Sequence, residues 1–456
     1  MPVRILDTRP NLLALHAAHP LRYPHLLQST AHGQYDILFA FPGDSLRLQE
    51  TDEPGGAACR TGTGNDFLEN FDRWWVESRV DEPCRKDLPF HGGWFVYLGY
   101  ELARQVEPVL SLPQPVDGLP TAIATRFPAA VLVDHHACRV ILVAEPEKSG
   151  LLEEMEADIN ALSTVGETDY GTLPSRVITE ADPDRYLQAV DRILTYIREG
   201  DVFQVNLSRL WDIRLGERLD PVRLYHRLCQ YNPAPFSGLA TWPEGAIISS
   251  SPERLVRTQG QTVETRPIAG TRPRSSKQHL DTAYSAQLLT HPKERAEHIM
   301  LIDLERNDLG RVCRPGTIEV NELMILESYA HVHHIVSNIR GRLYADITPG
   351  QVIRAVFPGG TITGCPKVRC MEIIAELEQE GRGAYTGSMG YINLDGSMDL
   401  NILIRTMTCR ENRIQLRAGA GIVADSVPER ELEETRAKAR GLLLALDAGR
   451  ERTPVV

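Results

Sequence analysis

The 456-residue sequence has no Cys-x-x-Cys pair, no long apolar run and little aromatic content. Its eight cysteines (Cys59, Cys84, Cys138, Cys229, Cys313, Cys365, Cys370 and Cys409) are scattered along the chain. That spacing argues against a zinc module or a disulfide scaffold and predicts free thiols in a reducing, cytoplasmic setting. No stretch nears the roughly 18 consecutive apolar residues of a membrane helix, so no membrane span is expected. The opening Met-Pro-Val-Arg-Ile-Leu lacks a basic start followed by an apolar core, so no signal peptide is expected either. Positive charge is in deficit: 61 acidic against 49 basic residues leave a formal charge of −12. Such a surface repels phosphate backbones and argues against nucleic-acid binding, although a locally basic pocket can still hold a small anion.

Several catalytic signatures are missing as well. Gly62-Thr-Gly64-Asn-Asp-Phe67 lacks the third glycine of a dinucleotide loop. Gly359–Gly364 has phosphate-loop spacing, but Cys365-Pro366 stands where Lys-Ser/Thr belongs. No Gly-x-Ser-x-Gly elbow is present. His331, His333 and His334 would alternate faces in a strand, and with no cysteine or carboxylate cluster beside them they do not spell a zinc site.

What is present is ordinary globular material, 42% hydrophobic and 24% charged. Residues 1–163 read as a first α/β unit, with strand-like runs at Asp36–Phe41 and Ala129–Val133 and helical spacing over Gly150–Leu162. Residues 164–179 are rich in Gly, Thr, Ser and Pro and read as a linker. A helix is predicted next: Asp182 suits the N-cap and Pro183 the first turn. Tyr186, Val190, Ile193 and Ile197 form its apolar stripe, Gly200 stops it, and Val202–Leu207 follows as a strand. Near the end, Ser388–Leu394, Met398–Thr408 and Arg413–Ala418 are separated by Asp395-Gly396 and Glu411-Asn412, which predicts an antiparallel meander. A last helix is expected from about Pro428 to Leu446. The pattern predicts an α+β fold with sizeable antiparallel sheets, the main unit covering residues 180–450.

Two helical segments repeat one carboxylate spacing. Glu294 and Glu297 are three apart, as are Glu431 and Glu434, with Lys438 one turn beyond. That spacing puts each pair on one helix face. If the helices met, the pairs would form an all-oxygen site suited to Mg²⁺. The alternative is solvated surface glutamates, with Glu434–Lys438 an ordinary helix ion pair, and spacing alone favours that alternative. Small-residue loops at Pro267–Arg274, Phe357–Lys367 and Ala418–Ile422 would let backbone N–H groups approach an anion. Arg405, within the middle meander strand, is an odd sheet residue unless it meets a carboxylate.

At these same segments the sequence resembles the chorismate-utilising enzymes. The matching pieces are Ser251-Pro-Glu253, Pro267–Thr271, Lys293–His298, Asp303–Asp308, His334–Ser337, Phe357–Lys367, Ile404–Thr406, Ala418–Ile422 and Glu433–Thr435, in order across residues 180–450. The earlier part matches more loosely, through Gly92–Glu101. The resemblance implies the chorismate-binding fold, with large antiparallel sheets packed together and helices outside. It implies that Glu294, Glu297, Glu431 and Glu434 bind Mg²⁺, which holds the ring carboxylate of chorismate. Arg405 and Tyr385 would contact the enolpyruvyl carboxylate, and Gly270, Thr271, Thr361, Gly419, Gly421 and Lys438 would complete the substrate pocket. His334 would lie beside the reacting ring and Glu253 would protonate the departing C4 hydroxyl.

Water-using branches of that family carry a lysine where this chain has Gln204, which implies ammonia as nucleophile. No glutaminase nucleophile loop is present, so the resemblance implies a separate amidotransferase subunit in a heterodimer. Two aminating outcomes follow. Ala269 matches the anthranilate synthases and departs from aminodeoxychorismate synthases that carry a covalent lysine there. Asn232-Pro-Ala-Pro-Phe236, Leu26-Leu-Gln-Ser29 and His333–Ser337 resemble the aminodeoxychorismate side, on which the balance falls. Anthranilate synthesis is the alternative, and a non-catalytic binding subunit of the same fold a remote one.

Overall fold

The computed structural model describes residues 1–31, 33–48, 66–80, 87–115, 117–162, 173–274, 277–290, 292–328 and 332–447. His331, Cys59, Cys84, most of the Gly62–Phe67 segment and residues 164–172 of the expected linker lie outside this set.

Among the described residues the strands form a twelve-stranded and a ten-stranded sheet, every pairing antiparallel. Alternation explains how they stack. Along Tyr35–Ala40, Ile37 and Phe39 point into a core shared with Phe95, Tyr97 and Met389 of the smaller sheet. Leu38 and Ala40 point the other way, beneath outer helices, with Leu152 and Met155. Rings lock the inter-sheet layer: Phe39 lies 5.3 Å from Phe95 and 5.5 Å from Phe127, both tilted or edge-on. The chain is α+β, with helices on the outside of two packed sheets.

The first 160 residues contribute strands to both sheets. His25–Gln28 pairs with Phe236–Trp242, and Gly93–Leu98 with Ser388–Asn393. Residues 176–179, assigned by composition to the linker, instead form a strand with Glu180 (Arg176–Glu180) beside Gln204–Leu215. Their β-branched Val177, Ile178 and Thr179 suit an extended edge, and the Gly/Ser-rich residues before them mask that signal.

The helix Pro183–Glu199 forms as its sequence predicts. Asp182 accepts from the Asp184 N–H, and Gly200 closes the helix at φ 85°. Gln204–Leu215 follows as a long central strand against Arg413–Ile422.

The expected three-strand meander is corrected at its middle member. Met398–Thr408 is not one strand: Met398–Asn401 belongs to the smaller sheet and Thr406–Arg410 to the larger. Ile402–Arg405 crosses between them, and Arg405 sits there at φ 52° rather than inside a strand. The crossing is held on both sides. Ile402 N donates to Glu253 O, Leu403 N to Gly387 O, and Ser250 N to Arg405 O. One backbone device therefore places both Glu253 and Arg405.

Candidate active site

A cavity of ≈ 1190 Å³ opens where Gln204–Leu215, Arg413–Ile422 and the sheet crossing meet the helices Pro292–Gly310 and Pro428–Asp447. Its wall carries Gln204, Glu253, Gly270, Glu294, Glu297, His334, Thr361, Tyr385, Arg405, Gly419, Gly421, Glu431, Glu434 and Lys438. Thr271 is the one predicted site residue whose side chain is not described. It stands in the strand Ile268–Pro273, opposite His334 in register.

Glu253 is buried, and its carboxylate accepts from Thr361 Oγ1 at 2.8 Å. Burial pushes its pKa up to about 7, against the opposing Thr361 hydrogen bond. That makes a proton available near neutrality, as a general acid requires. Thr361 is placed by the short turn Gly360–Ile362.

His334 is also buried, and burial first and Arg405 second hold its pKa down at about 4. The ring is therefore neutral. Its Nδ1 lies 3.4 Å from Gly270 O, which assigns the proton to Nδ1 and leaves Nε2 an acceptor. His333, on the opposite face, is engaged by Asp281 and Ser328. Among the described residues no histidine-based metal cluster forms.

The glutamate pairs reach the cavity from two helices. Gly270, at φ 66°, lets Glu294 close in: a Cβ there would sit 2.5 Å from Glu294 Oε2. Lys438 Nζ donates to Glu434 Oε1 at 2.8 Å and to Gly419 O at 3.0 Å. Among the described residues no three such groups converge on one point at metal distance. The donor set still fits a hard divalent cation, because four carboxylates face a single cavity and all the donors are oxygen.

Tyr385 is buried and its pKa is pushed up to about 12 by burial. The turn before it is clamped from the Gly92–Glu101 stretch: Glu101 accepts from Arg382 N at 2.6 Å and Gly383 N at 3.1 Å. Below the cavity, Glu378 binds Arg382 and Arg417. Burial alone would raise the Glu378 pKa, but the two guanidiniums hold it below its ordinary value.

Among the wall residues that sequence reasoning missed are Asn206 and Arg417. The signal for Asn206 was available, because Gln204-Val-Asn206-Leu-Ser208 alternates polar and apolar residues and puts Gln204 and Asn206 on one face. Arg417 has no such signal, since its role depends on Glu378 folding beneath it.

The family described as chorismate binding enzyme matches residues 23–444. Aminodeoxychorismate synthase component 1 of Bacillus subtilis is 40% identical over 447 residues, 94% of this chain and 93% of that protein. Anthranilate synthase component 1 of Thermus thermophilus is 43% identical over 384 residues, 81% of each. The crystal structure of anthranilate synthase component I from Streptococcus pneumoniae TIGR4 superposes with a TM-score of 0.78 at 30% identity, covering 90% of this chain and 92% of that one. The chain belongs to the chorismate binding enzymes.

Proposed function

We propose that this chain is the chorismate-aminating component of an aminodeoxychorismate synthase, converting chorismate and ammonia to 4-amino-4-deoxychorismate and water. The observation that carries the aminating reading is the shared cavity, which gathers Glu253, His334, Arg405, Lys438 and both glutamate pairs around Gln204. A carboxamide cannot deprotonate water to activate it, whereas free ammonia is nucleophilic enough to attack without first losing a proton. Ala269, also in the wall, has no amine to form an adduct, so a first ammonia adds at C2 as the C4 hydroxyl leaves, and a second ammonia then bonds C4 and releases the first from C2. Glu253 gives its proton to the C4 hydroxyl, which leaves as water. Arg405 and Tyr385 hold the enolpyruvyl carboxylate.

The glutamates Glu294, Glu297, Glu431 and Glu434 would hold Mg²⁺, which when bound supplies positive charge for the ring carboxylate. Accordingly, chelation with EDTA is expected to abolish chorismate loss and added Mg²⁺ to restore it. E434Q should raise the Mg²⁺ concentration needed for half-maximal rate about tenfold or more. An unchanged Mg²⁺ requirement would remove Glu434 from the site.

The 4-amino product is supported by one locus. Leu26-Leu-Gln-Ser29 and Asn232–Phe236, both unlike the anthranilate pattern, lie side by side: Thr30 N donates to Ala234 O, and Gln28 pairs with Ser237. Gln28 is committed there to Asp36 and Tyr225. Ala269 supports the alternative, 2-amino product. Ammonia would come from a separate glutaminase subunit, in the reducing cytoplasm that the free thiols suit. Among the described residues no helix is long and apolar enough to cross a membrane.

Product analysis tests the assignment. The chain, chorismate, Mg²⁺ and an ammonium salt at mildly alkaline pH should give 4-aminobenzoate only when an aminodeoxychorismate lyase is added. Anthranilate fluorescence without the lyase would overturn it in favour of the 2-amino product.

A further inference from the structure

Gln204 and Asn206 stand two residues apart on one face of the strand Gln204–Leu215, and both are buried. Their acceptor atoms, Gln204 Oε1 and Asn206 Oδ1, meet no donor among the described residues, yet both side chains line the cavity. Buried carbonyl oxygens are almost always satisfied, so two orphans side by side in a cavity wall point to a ligand carrying N–H or O–H donors. The room in front of them is made by glycine. A Cβ at Gly419 would lie 2.8 Å from Asn206 Oδ1 and 2.7 Å from the Tyr385 hydroxyl, and one at Gly421 would lie 2.6 Å from Gln204 Nε2.

The pair is fixed from behind. Asn206 N donates to Thr363 O, and Asn206 O accepts from Arg382 Nη2 at 2.8 Å. Gln204 O accepts from Cys370 Sγ at 3.0 Å. The backbone that carries the two carboxamides is therefore held in place beside the cavity.

Resting on the aminating reading above, in which Gln204 faces the nucleophile, we infer that Asn206 is a further specificity residue for the nitrogen nucleophile, its Oδ1 joining Gln204 Oε1 in receiving ammonia. Ammonia has three N–H donors and one lone pair. Two donated hydrogen bonds anchor it and leave the lone pair free for carbon. The choice of carboxamides over carboxylates matters. A carboxylate at either position would favour the ammonium ion, which has no lone pair, whereas neutral amides add no negative charge to hold that ion.

The test is steady-state kinetics of the full chain with chorismate, Mg²⁺ and ammonium chloride. N206L is expected to raise the KM for ammonium about tenfold or more, with the chorismate KM held within about twofold, the loss expected for one or two neutral hydrogen bonds. N206D keeps the shape and the oxygens and serves where N206L fails to fold. It should move the alkaline midpoint of the ammonia-dependent rate upward, because its charge retains the protonated ion. An unmoved midpoint in N206D, or in N206L a raised chorismate KM with an unchanged ammonium KM, would overturn the subsite and put Asn206 against the ring substrate. If the unmodified chain forms no amine from chorismate and ammonium, the aminating reading falls and the subsite with it. Amine formation with an unmoved ammonium KM removes the subsite alone.

Discussion

E253Q is expected to lower chorismate turnover by about 10²–10⁴-fold while leaving chorismate binding within a few-fold of the parent, as removal of a general acid should. Hydroxide is a poor leaving group, and Glu253 is the wall carboxyl whose proton is held near neutrality by burial. Glutamine keeps the size and can still accept from Thr361 Oγ1, so the change removes the proton and little else. The pH dependence has a definite sign. The active form is protonated, so at fixed free ammonia kcat/KM should be level below about 7 and fall above it. At fixed total ammonium the opposite trend is superimposed, because the free base grows with pH; holding free ammonia constant separates the two.

The same residue carries a cost to stability. Its folded pKa is raised from 4.5 to about 7. The folded state therefore holds the proton more tightly, a contribution fully present below 4.5 and lost as pH rises through about 7. E253Q should then be more stable than the parent at pH 8, by at most about 3 kcal/mol, and nearly equal to it near pH 4. Denaturant titration at both pH values checks this. A variant equally active at pH 7, or one destabilised at pH 8, would take the general-acid role away from Glu253.

How much of this was legible in the sequence depends on what each residue needs in order to act. The i,i+3 glutamates place each pair on a helix face, and that is a local property. That the two helices meet over one cavity is set by the register of strands far apart in the chain, such as Asn206 with Gly421. Spacing alone therefore could not tell a cation site from a solvated surface, and the resemblance supplied the difference. Arg405 shows the converse. Met398–Thr408 has an unbroken strand-like pattern, because both of its halves are strands. What the pattern hides is the change of sheet at Ile402–Arg405, marked only by a positive φ that no glycine announces. Asn206 was readable from period-two alternation, while Arg417 and the Glu378 network were not, since buried ion pairs close through tertiary contacts.

Arg405 is where the second large effect is expected: R405A should cut kcat/KM for chorismate by about a hundredfold or more, yet raise the stability of the ligand-free chain. The guanidinium faces the cavity, burial lowers its pKa, and among the described residues no carboxylate pairs with it. An arginine stays charged at any working pH, so the chain carries a desolvated cation that no carboxylate among the described residues pairs with. That arrangement costs free energy in the empty site and returns it when a carboxylate arrives, each charge-assisted hydrogen bond contributing about 1.5–3 kcal/mol. Alanine removes both the cost and the return. Backbone strain does not confuse the comparison, because arginine and alanine both carry a Cβ into the φ 52° conformation. R405K should recover only a small part of the loss, since an ammonium cannot present the planar fork a carboxylate matches. Thermal denaturation with and without chorismate reads both halves at once: R405A should melt higher than the parent alone and gain little from ligand. A lower melting temperature with the chorismate-induced shift intact would mean that Arg405 holds the sheet crossing together, and the enolpyruvyl carboxylate would have to be bound elsewhere.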